Sequence, residues 1–248
     1  MRIGIVGAGH IGKTLARKLS AAGHEVKIAN SRGPETISSD ILSTKVRAVT
    51  VDKALTEVDA VILSVPFARN ADLAPLLSGL APDIVIMDTS NYYPFRDGKM
   101  EAIDAGKAEG VWVAEILDRP ITKAWNSIGA ESLANKGQAA GVPDRIALPV
   151  AGDRASDRAV AMALVEETGF DAVDAGALAE SWRQQPGAPC YCTNLTRGEL
   201  VEALSTADAS RSPKRRDLAM AVVMERIGGT PTAPDAEYTT RLNRAIFR

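Results

Sequence analysis

The sequence predicts an α/β protein: a doubly wound parallel sheet with a small, mainly helical lobe at the C-terminal end. Short β-branched runs alternate with longer helical patterns, which is typical of βαβ units. A glycine-rich hexamer stands between the first run and the first helical pattern, and after Gly176 the strand-like runs give way to turns and helices. We therefore divide the chain into residues 1–143 and 144–248, and leave open whether the last strands extend the same sheet.

Five strands are expected in the first half of the chain, from their apolar and β-branched composition. They are residues 2–6, 25–29, 45–51, 59–65 and 84–88. A helix over residues 11–22 has Leu15 and Leu19 on its apolar face, and Gly23 follows it as a typical C-terminal cap. A second helix is expected to begin near Pro34, because proline suits the first turn of a helix.

The second half is expected to alternate between helices and strands, and then to become helical. The Val-Trp-Val run within residues 110–117 would suit a strand, but the length of the segment favours a helix. Three strands and one helix follow, at residues 121–125, 145–150, 170–173 and, for the helix, 156–167. A turn-rich break at residues 184–189 precedes three further helices, which are residues 197–204, 213–227 and 236–246.

Composition and charge exclude several classes of protein. Hydrophobic residues make up 46% of the chain, which is enough for a folded core and excludes an intrinsically disordered protein. The formal net charge of −2 gives no electrostatic attraction to nucleic acid or to an anionic membrane. Cys190, Cys192, His10 and His24 are too few for a disulfide framework or a structural metal. The sequence therefore predicts a cytoplasmic protein without a metal, a nucleic-acid partner or a membrane partner.

The glycine-rich hexamer has the G-x-G-x-x-G pattern of a dinucleotide-binding turn. It reads Gly7-Ala8-Gly9-His10-Ile11-Gly12. Gly7 permits the tight turn from strand to helix, Gly9 lets a pyrophosphate approach the backbone, and Gly12 lets the helix pack closely on the strand. The free N–H groups at the start of the helix favour the phosphates. The hexamer therefore predicts a Rossmann unit.

The end of the second predicted strand indicates which dinucleotide binds. NAD-specific units carry a carboxylate there for the ribose 2′-hydroxyl, whereas this chain has Asn30, Ser31 and Arg32. A hydroxyl and a guanidinium would favour a 2′-phosphate, so we expect NADP(H). A further contact is expected at the end of the fourth strand, where ligands of α/β sheets bind; a simple stop of the strand is the alternative. The residues there are Ser64, Val65 and Pro66.

These residues together resemble the family of NADP-dependent reductases of the deazaflavin coenzyme F420, to which the cytosolic domain of the six-transmembrane metalloreductases is related. The segment Thr122-Lys123-Ala124-Trp125-Asn126-Ser127-Ile128 is similar to the family's Lys-Ala-Phe-Asn-Thr segment, with Trp125 in place of the usual Phe. The resemblance covers residues 1–180. Its matching pieces are residues 2–12, 30–36, 64–66, 122–128, 149–153 and 174–176.

The resemblance implies a Rossmann domain over residues 1–143 and a smaller substrate or dimerisation lobe over residues 144–248, in a homodimer. It implies hydride exchange between NADP(H) and a small-molecule redox acceptor, coenzyme F420 or a flavin. Ser31 and Arg32 would hold the 2′-phosphate, and Asn126 with Ser127 would lie near the nicotinamide. Lys123 would face the crevice as a substrate-binding cation; a solvated lysine is the alternative. The tail from residue 184 onward has no counterpart in the family pattern.

No catalytic acid or base is evident in the sequence, which suits hydride transfer between two stacked rings. Asn126 is the best candidate for a polar group near the reacting ring, or else it only shapes a turn. Two features allow both a structural and a ligand-binding interpretation: the Cys190-Tyr191-Cys192 segment, and the basic cluster Arg211, Lys214, Arg215 and Arg216, which would anchor an acidic tail. Two other functions stay open: a reductase of a small imine or keto substrate, and a nucleotide-binding sensor without catalysis.

Overall fold

The computed structural model describes residues 1–228 and 235–248 of the chain. Within these ranges, eight strands form one sheet. The strands are β1 (Arg2–Val6), β2 (Glu25–Ala29), β3 (Val46–Ala48), β4 (Ala60–Leu63), β5 (Val85–Asp88), β6 (Thr122–Lys123), β7 (Ala147–Gly152) and β8 (Asp171–Asp174). Their order across the sheet is β3-β2-β1-β4-β5-β6-β7-β8.

The first six strands are parallel to one another. β7 is antiparallel to β6, and β8 is again parallel to β7. The strand order reverses between β1 and β4, and in such sheets a ligand crevice opens at that point, outside the carboxyl ends of the strands. The predicted fold class is confirmed, and β7 and β8 continue the sheet beyond residue 143.

Helices of very different lengths connect the strands and form the C-terminal region. They are α1 (His10–Ala21), α2 (Val51–Ala54), α3 (Ala74–Leu77), α4 (Pro94–Asp97), α5 (Glu101–Asp104), α6 (Glu109–Leu117), α7 (Ala130–Asn135), α8 (Ala155–Glu167), α9 (Arg197–Ser205), α10 (Ser212–Ile227) and α11 (Ala236–Phe247). Four short 3₁₀ helices are Pro34–Thr36, Ser39–Ile41, Phe67–Leu73 and Leu178–Gln184. No helix in the described ranges is long and apolar enough to cross a bilayer.

Two predictions about elements are wrong. No α-helix begins near Pro34, and two 3₁₀ turns take its place. Gly33 before them has a φ of +98°, a left-handed conformation that turns the chain away from a helical path. The strand expected over residues 121–125 ends after Lys123, because Trp125 has a left-handed φ of +53°. The segment at residues 110–117 is helical, as its length indicated.

Each face of the sheet packs against its own apolar core. On one face, Ile5 of β1 packs in a cluster with Leu15 and Leu19 of α1, all of them fully buried. On the other face, Leu63 of β4 packs in a cluster that includes Val113 of α6. A sheet covered on both faces needs apolar side chains in both directions along a strand, which explains why β4 reads as a continuous apolar run.

The last helix holds the segment that follows the turn-rich break. Arg244 of α11 donates from Nε to the carbonyl oxygen of Thr193 at 2.7 Å and from Nη2 to that of Asn194 at 2.8 Å. Asn243 donates to the carbonyl oxygen of Tyr191 at 3.4 Å. The C-terminal helix therefore fixes residues 191–194 against the body of the protein.

A buried ion pair joins β5 and β6, where Asp88 and Lys123 lie opposite each other in the strand register. Lys123 Nζ lies 2.6 Å from Asp88 Oδ2 and donates to the carbonyl oxygen of Ser90 at 2.5 Å. Both charged side chains are 0% exposed. The expectation that Lys123 faces the crevice or the solvent is therefore wrong, because the partner strand supplies a carboxylate that neutralises it inside the protein.

A second buried carboxyl group lies behind the same part of the structure. Glu109, at the start of α6, is 1% exposed, and its Oε2 has no hydrogen-bond partner among the described residues. Burial raises the pKa of Glu109 to about 7, although the positive charge of Lys123 and the backbone N–H of Tyr92 act in the opposite direction. Glu109 is therefore partly protonated near neutral pH.

Glu109 should make the stability of the protein fall with rising pH. Its pKa is about 7 in the folded protein against 4.5 in the absence of burial, so the folded state binds this proton more tightly. The free energy of unfolding should decrease by roughly 3 kcal/mol as the pH rises from 4.5 to about 7, and the contribution of Glu109 should stay level at higher pH. Glu109→Gln should lose this slope and be more stable than the native protein on the alkaline side, as measured by urea denaturation across pH.

The matched control is Glu115→Gln, which changes an exposed carboxylate on the same helix. This variant should retain the native dependence of stability on pH. A native slope that persists in Glu109→Gln would show that another group titrates in this range.

Candidate functional site

Two adjoining cavities lie at the carboxyl ends of the parallel strands. The outer cavity, of about 440 Å³, extends from the glycine turn to the end of β2 and to the 3₁₀ helix Phe67–Leu73. The inner cavity, of about 340 Å³, extends from the same turn to the loop after β5 and to residues 191–192. Gly9, Ser64, Val65 and Pro66 line both of them. The two cavities therefore form one groove that crosses the point where the strand order reverses.

The glycine turn forms the floor of the groove, with the geometry that the hexamer indicated. Gly7 has a φ of +113°, and its N–H donates to the carbonyl oxygen of Ala29 at 2.8 Å. A Cβ on Gly12 would collide with the carbonyl oxygen of Gly7, whereas a Cβ on Gly9 would have no neighbour within 4 Å. These positions confirm the structural roles predicted for Gly7 and Gly12, and leave the backbone at Gly9 open to the groove.

The N-terminus of α1 points into this open space. Gly9 is its N-cap residue and no side chain caps the helix, so the first N–H groups are available to a ligand. Ala8 lines the outer cavity, and His10 and Ile11 line the inner one. An uncapped helix start of this kind suits an anionic group.

The end of β2 forms the far wall of the outer cavity, which Asn30, Ser31 and Arg32 line. Asn30 Oδ1 accepts from the N–H of Arg32 at 2.9 Å, and Asn30 Nδ2 donates to Thr36 Oγ1 at 2.8 Å. Asn30 therefore shapes the turn with its side chain. Ser31 and Arg32 are exposed at the tip of the turn, where their side chains can reach a ligand.

The opposite wall of the outer cavity was not predicted from the sequence. It consists of Val51 from α2 and of the 3₁₀ helix after β4 with the start of α3, which contribute Arg69, Asp72, Leu73 and Leu76. Arg69 Nε lies 2.9 Å from Asp72 Oδ2, in an exposed ion pair. Leu76 is 38% exposed, which is a large apolar exposure for a leucine and suits contact with a flat ring.

Asn126 lies on the wall of the inner cavity, as the sequence indicated, but its amide is largely occupied. Its Nδ2 donates to Asn91 Oδ1 at 3.0 Å and to the carbonyl oxygen of Gln184 at 2.8 Å, and its Oδ1 accepts from Gln184 Nε2 at 2.8 Å. Asn91 in turn donates to the carbonyl oxygen of Asn126 at 2.8 Å. Asn126 therefore fixes Asn91, which is the more exposed amide of the two.

Ser127 and Lys123 do not line the inner cavity. Ser127 is 4% exposed, and its carbonyl oxygen accepts from the N–H of Cys192 at 2.8 Å. The prediction that Ser127 contacts a substrate is wrong in this structure, because the turn after Trp125 directs it into the protein. Its backbone instead holds the opposite rim of the cavity.

A pair of tyrosines closes the inner cavity from the side of the C-terminal helices. The hydroxyl groups of Tyr93 and Tyr191 are 2.9 Å apart. Burial raises the pKa of both hydroxyls above the ordinary value, so both are neutral hydrogen-bonding groups at physiological pH. Burial also raises the pKa of the Cys192 thiol beside them to about 12, which makes Cys192 an unreactive apolar wall.

Backbone strain is concentrated around this cavity. Trp125 and Cys192 line it, and both have a left-handed φ, of +53° and +52°. A side chain other than glycine in this region of φ costs on the order of 1–2 kcal/mol. The Trp125 indole compensates in part, since it is fully buried and donates to Thr168 Oγ1 at 3.1 Å. Such strain is common where a structure holds a binding site in place.

The described residues that line the inner cavity include no aspartate, glutamate or lysine. Their one permanent charge is Arg96, which donates from Nη2 to the carbonyl oxygen of Asn91 at 2.5 Å and pairs with Asp97 at 2.8 Å. No group of three or more metal-ligating side chains occurs in the described part of the chain. The cavity is therefore a mainly neutral pocket of amide, hydroxyl and apolar groups.

The basic cluster near the start of α10 does not line the groove, although its Arg216 lies behind the tyrosine wall of the inner cavity. Arg216 turns inward, stacks over Tyr92 with 5.3 Å between the guanidinium carbon and the ring centroid, and pairs with Asp217. Lys214 is exposed. Neither lines the outer or the inner cavity. Burial of Arg216 excludes a cluster that is wholly solvated, and Arg216 lines a separate cavity on the far side of Tyr93, Tyr191 and Cys192.

Comparison with known proteins supports an assignment to a family. Residues 2–92 match the family described as NADP oxidoreductase, coenzyme F420-dependent. Over 91 residues the chain is 38% identical to the protein YjhV of Escherichia coli (strain K12). This match spans 37% of the chain and 66% of YjhV, a little less than two thirds of that relative.

Two solved structures extend the similarity beyond residue 92. The protein SMa0349 from Sinorhizobium meliloti, whose name states no function, is 32% identical with a TM-score of 0.69, and the match covers 79% of this chain and 95% of that protein. A protein from Arthrobacter sp. FB24, provisionally named an F420-dependent NADP-reductase, is 21% identical with a TM-score of 0.60, covering 89% of this chain and 94% of that one. At 21% identity, the similarity to the Arthrobacter protein shows only that the two chains share a fold.

The matched residues 2–92 contain the glycine turn, the end of β2 and the first part of the loop after β5, which line the outer cavity and part of the inner one. The similarity to SMa0349 covers nearly the whole of that protein. The chain belongs to the family of coenzyme F420-dependent NADP oxidoreductases.

Proposed function

We propose that the protein transfers hydride between NADP(H) in the outer part of the groove and a flavin or deazaflavin acceptor in the inner cavity. The observation that carries this proposal is the lining of the inner cavity, which among the described residues has no carboxylate or lysine and a single imidazole, His10. Transfer between two stacked rings depends on their orientation more than on a protein acid or base. A pocket of neutral groups at the end of a dinucleotide groove suits that chemistry.

The groove fits NADP(H) at each end of the molecule. The uncapped start of α1 and the open backbone at Gly9 suit the pyrophosphate. Arg32 is exposed and makes no ion pair with a described residue, so its charge is available to the 2′-phosphate beside the hydroxyl of Ser31. Leu73 and Leu76 offer an apolar surface to the adenine ring. Bound NADPH would supply the hydride, and the chain would position the two rings.

The chain's own groups in the inner cavity are suited to orientation and to exclusion of water. Asn91, held by Asn126 and Arg96, presents an amide to the edge of a ring. The hydroxyl pair Tyr93–Tyr191 offers neutral hydrogen bonds to ring carbonyl or nitrogen atoms. Trp125 and Cys192 add apolar surface for the ring faces. These groups can bind a flat, polar-edged acceptor without changing their own charge.

The proposal is tested by following NADPH oxidation, through the absorbance of the reduced nicotinamide, with FMN, FAD, riboflavin or the deazaflavin coenzyme as acceptor. We expect turnover with at least one of these acceptors. Gly9→Val should abolish nucleotide binding and turnover in a folded protein, because a side chain would fill the open floor of the groove. Gly79→Val, at an exposed glycine with equally open surroundings, is the matched control.

Tight NADPH binding without reduction of any of these acceptors would contradict the proposal. Turnover with a small imine or keto compound would then identify a different reductase, and no turnover at all would indicate a nucleotide-binding sensor.

Arg32→Glu should weaken binding of NADPH by about 10- to 150-fold, because it removes a charge-assisted hydrogen bond to the 2′-phosphate. Binding of NADH, which lacks this phosphate, should change little. The measurement is the dissociation constant of each nucleotide from energy transfer between protein tryptophan and reduced nicotinamide. Arg47→Glu, an exposed position on the neighbouring strand β3 outside the cavity, controls for charge reversal alone. An equal loss of affinity for both nucleotides would exclude Arg32 as the 2′-phosphate ligand.

A further inference from the structure

A third cavity opens from the inner one, on the side of α1 that faces the C-terminal helices. Its volume is about 600 Å³, and α1, α7, α10 and α11 all contribute to its walls. His10, Gly129, Ala130 and Cys192 line both this cavity and the inner one. A molecule whose ring occupies the inner cavity could therefore extend a side chain into the third cavity without leaving the protein surface.

One wall of this third cavity is basic. His10, Lys13 and Arg17 lie three and four residues apart on α1 and therefore share one face of the helix, over about 10 Å at 1.5 Å per residue. Lys13 is half-buried, and its side chain makes no ion pair or hydrogen bond with a described residue. Arg17 pairs with Asp40 at 3.1 Å, and both side chains of that pair are more than half exposed. Lys13 is thus the lysine of this wall without a direct ion pair, although its charge acts on Asp40 at longer range.

The other walls are mainly apolar and polar, and they contain one carboxylate. Met220 and Val223 of α10 and Ala236 of α11 are apolar, and they face the cavity opposite α1. The one carboxylate that lines it is Glu131, whose Oε2 accepts from the N–H of Ala236 at 3.2 Å. The third cavity therefore combines an apolar wall with a lysine that makes no direct ion pair, and one carboxylate, Glu131, on another wall.

We propose that this third cavity binds a flexible anionic substituent of the acceptor, a phosphate or a carboxylate, with Lys13 as its main ligand. The inference rests on the proposed function, since it requires the acceptor ring to occupy the inner cavity. It assigns the acidic side chain of the acceptor to α1, and not to the basic cluster at the start of α10. Lys13 then selects acceptors by charge, separately from the nucleotide contacts at Arg32.

The test compares FMN with riboflavin, which share a ring and differ in one phosphate. The native protein, loaded with NADP, should bind FMN at least tenfold more tightly than riboflavin in a titration of flavin fluorescence anisotropy. Lys13→Gln should reduce this preference about tenfold, and Lys13→Glu should reverse it. Lys214→Gln, at an exposed lysine of the basic cluster on α10, should retain the native preference.

Each outcome distinguishes the subsite from the proposed function. Equal affinity of the native protein for the two flavins, or a preference unchanged in both Lys13 variants, would overturn the subsite while leaving a flavin-type acceptor in place. A preference lost in Lys214→Gln would place the anion at α10 and also overturn it. Binding of neither flavin would contradict the proposed acceptor class and with it the subsite. The dissociation constant of NADPH, measured for Lys13→Gln, shows whether the effect is confined to the acceptor.

Discussion

The buried ion pair between Asp88 and Lys123 is the interaction on which the inner half of the groove depends. Breaking such a pair by removing one partner costs on the order of 3–5 kcal/mol, because the remaining charge has no water to solvate it. Here the same lysine also holds the carbonyl oxygen of Ser90, while Asp88 accepts from the N–H of Ser90 at 2.9 Å. The pair therefore fixes the point at which the chain leaves β5, and so the position of Asn91 and Tyr93.

Hydrogen bonds from residues far away in the sequence hold the rest of the site against that loop. Asn126 holds Asn91 from the end of β6, and the hydroxyl of Tyr191 meets that of Tyr93 from the C-terminal region. The C-terminal helix α11 holds the backbone at residues 191–194 in turn. The Rossmann half thus forms the outer cavity and most of the inner one, and the C-terminal half completes the inner cavity.

The sequence predicts the lining of the outer cavity much better than that of the inner cavity, for a physical reason. The glycine turn and the Ser31-Arg32 pair are local patterns whose chemistry follows from a few neighbouring residues. Tyr93 and Tyr191 lie 98 positions apart, and Asn126 and Gln184 lie 58 apart, so only the fold brings them together. Lys123 was misplaced because its partner Asp88 lies on another strand. Helices of four residues, such as α2 to α5, are too short for a periodic pattern.

The central claim is that the two rings meet in one continuous groove and exchange hydride directly. It is tested by reducing the deazaflavin acceptor with NADPH that carries deuterium at C4 of the nicotinamide, and examining C5 of the product by mass spectrometry and NMR. The carbon-bound hydrogen at C5 of a reduced deazaflavin does not exchange readily with water, so the label reports its origin. The account predicts that the deuterium is found at C5, transferred from one face of the nicotinamide. Reduced acceptor without the label from NADPH deuterated at both C4 positions would contradict direct transfer within the groove.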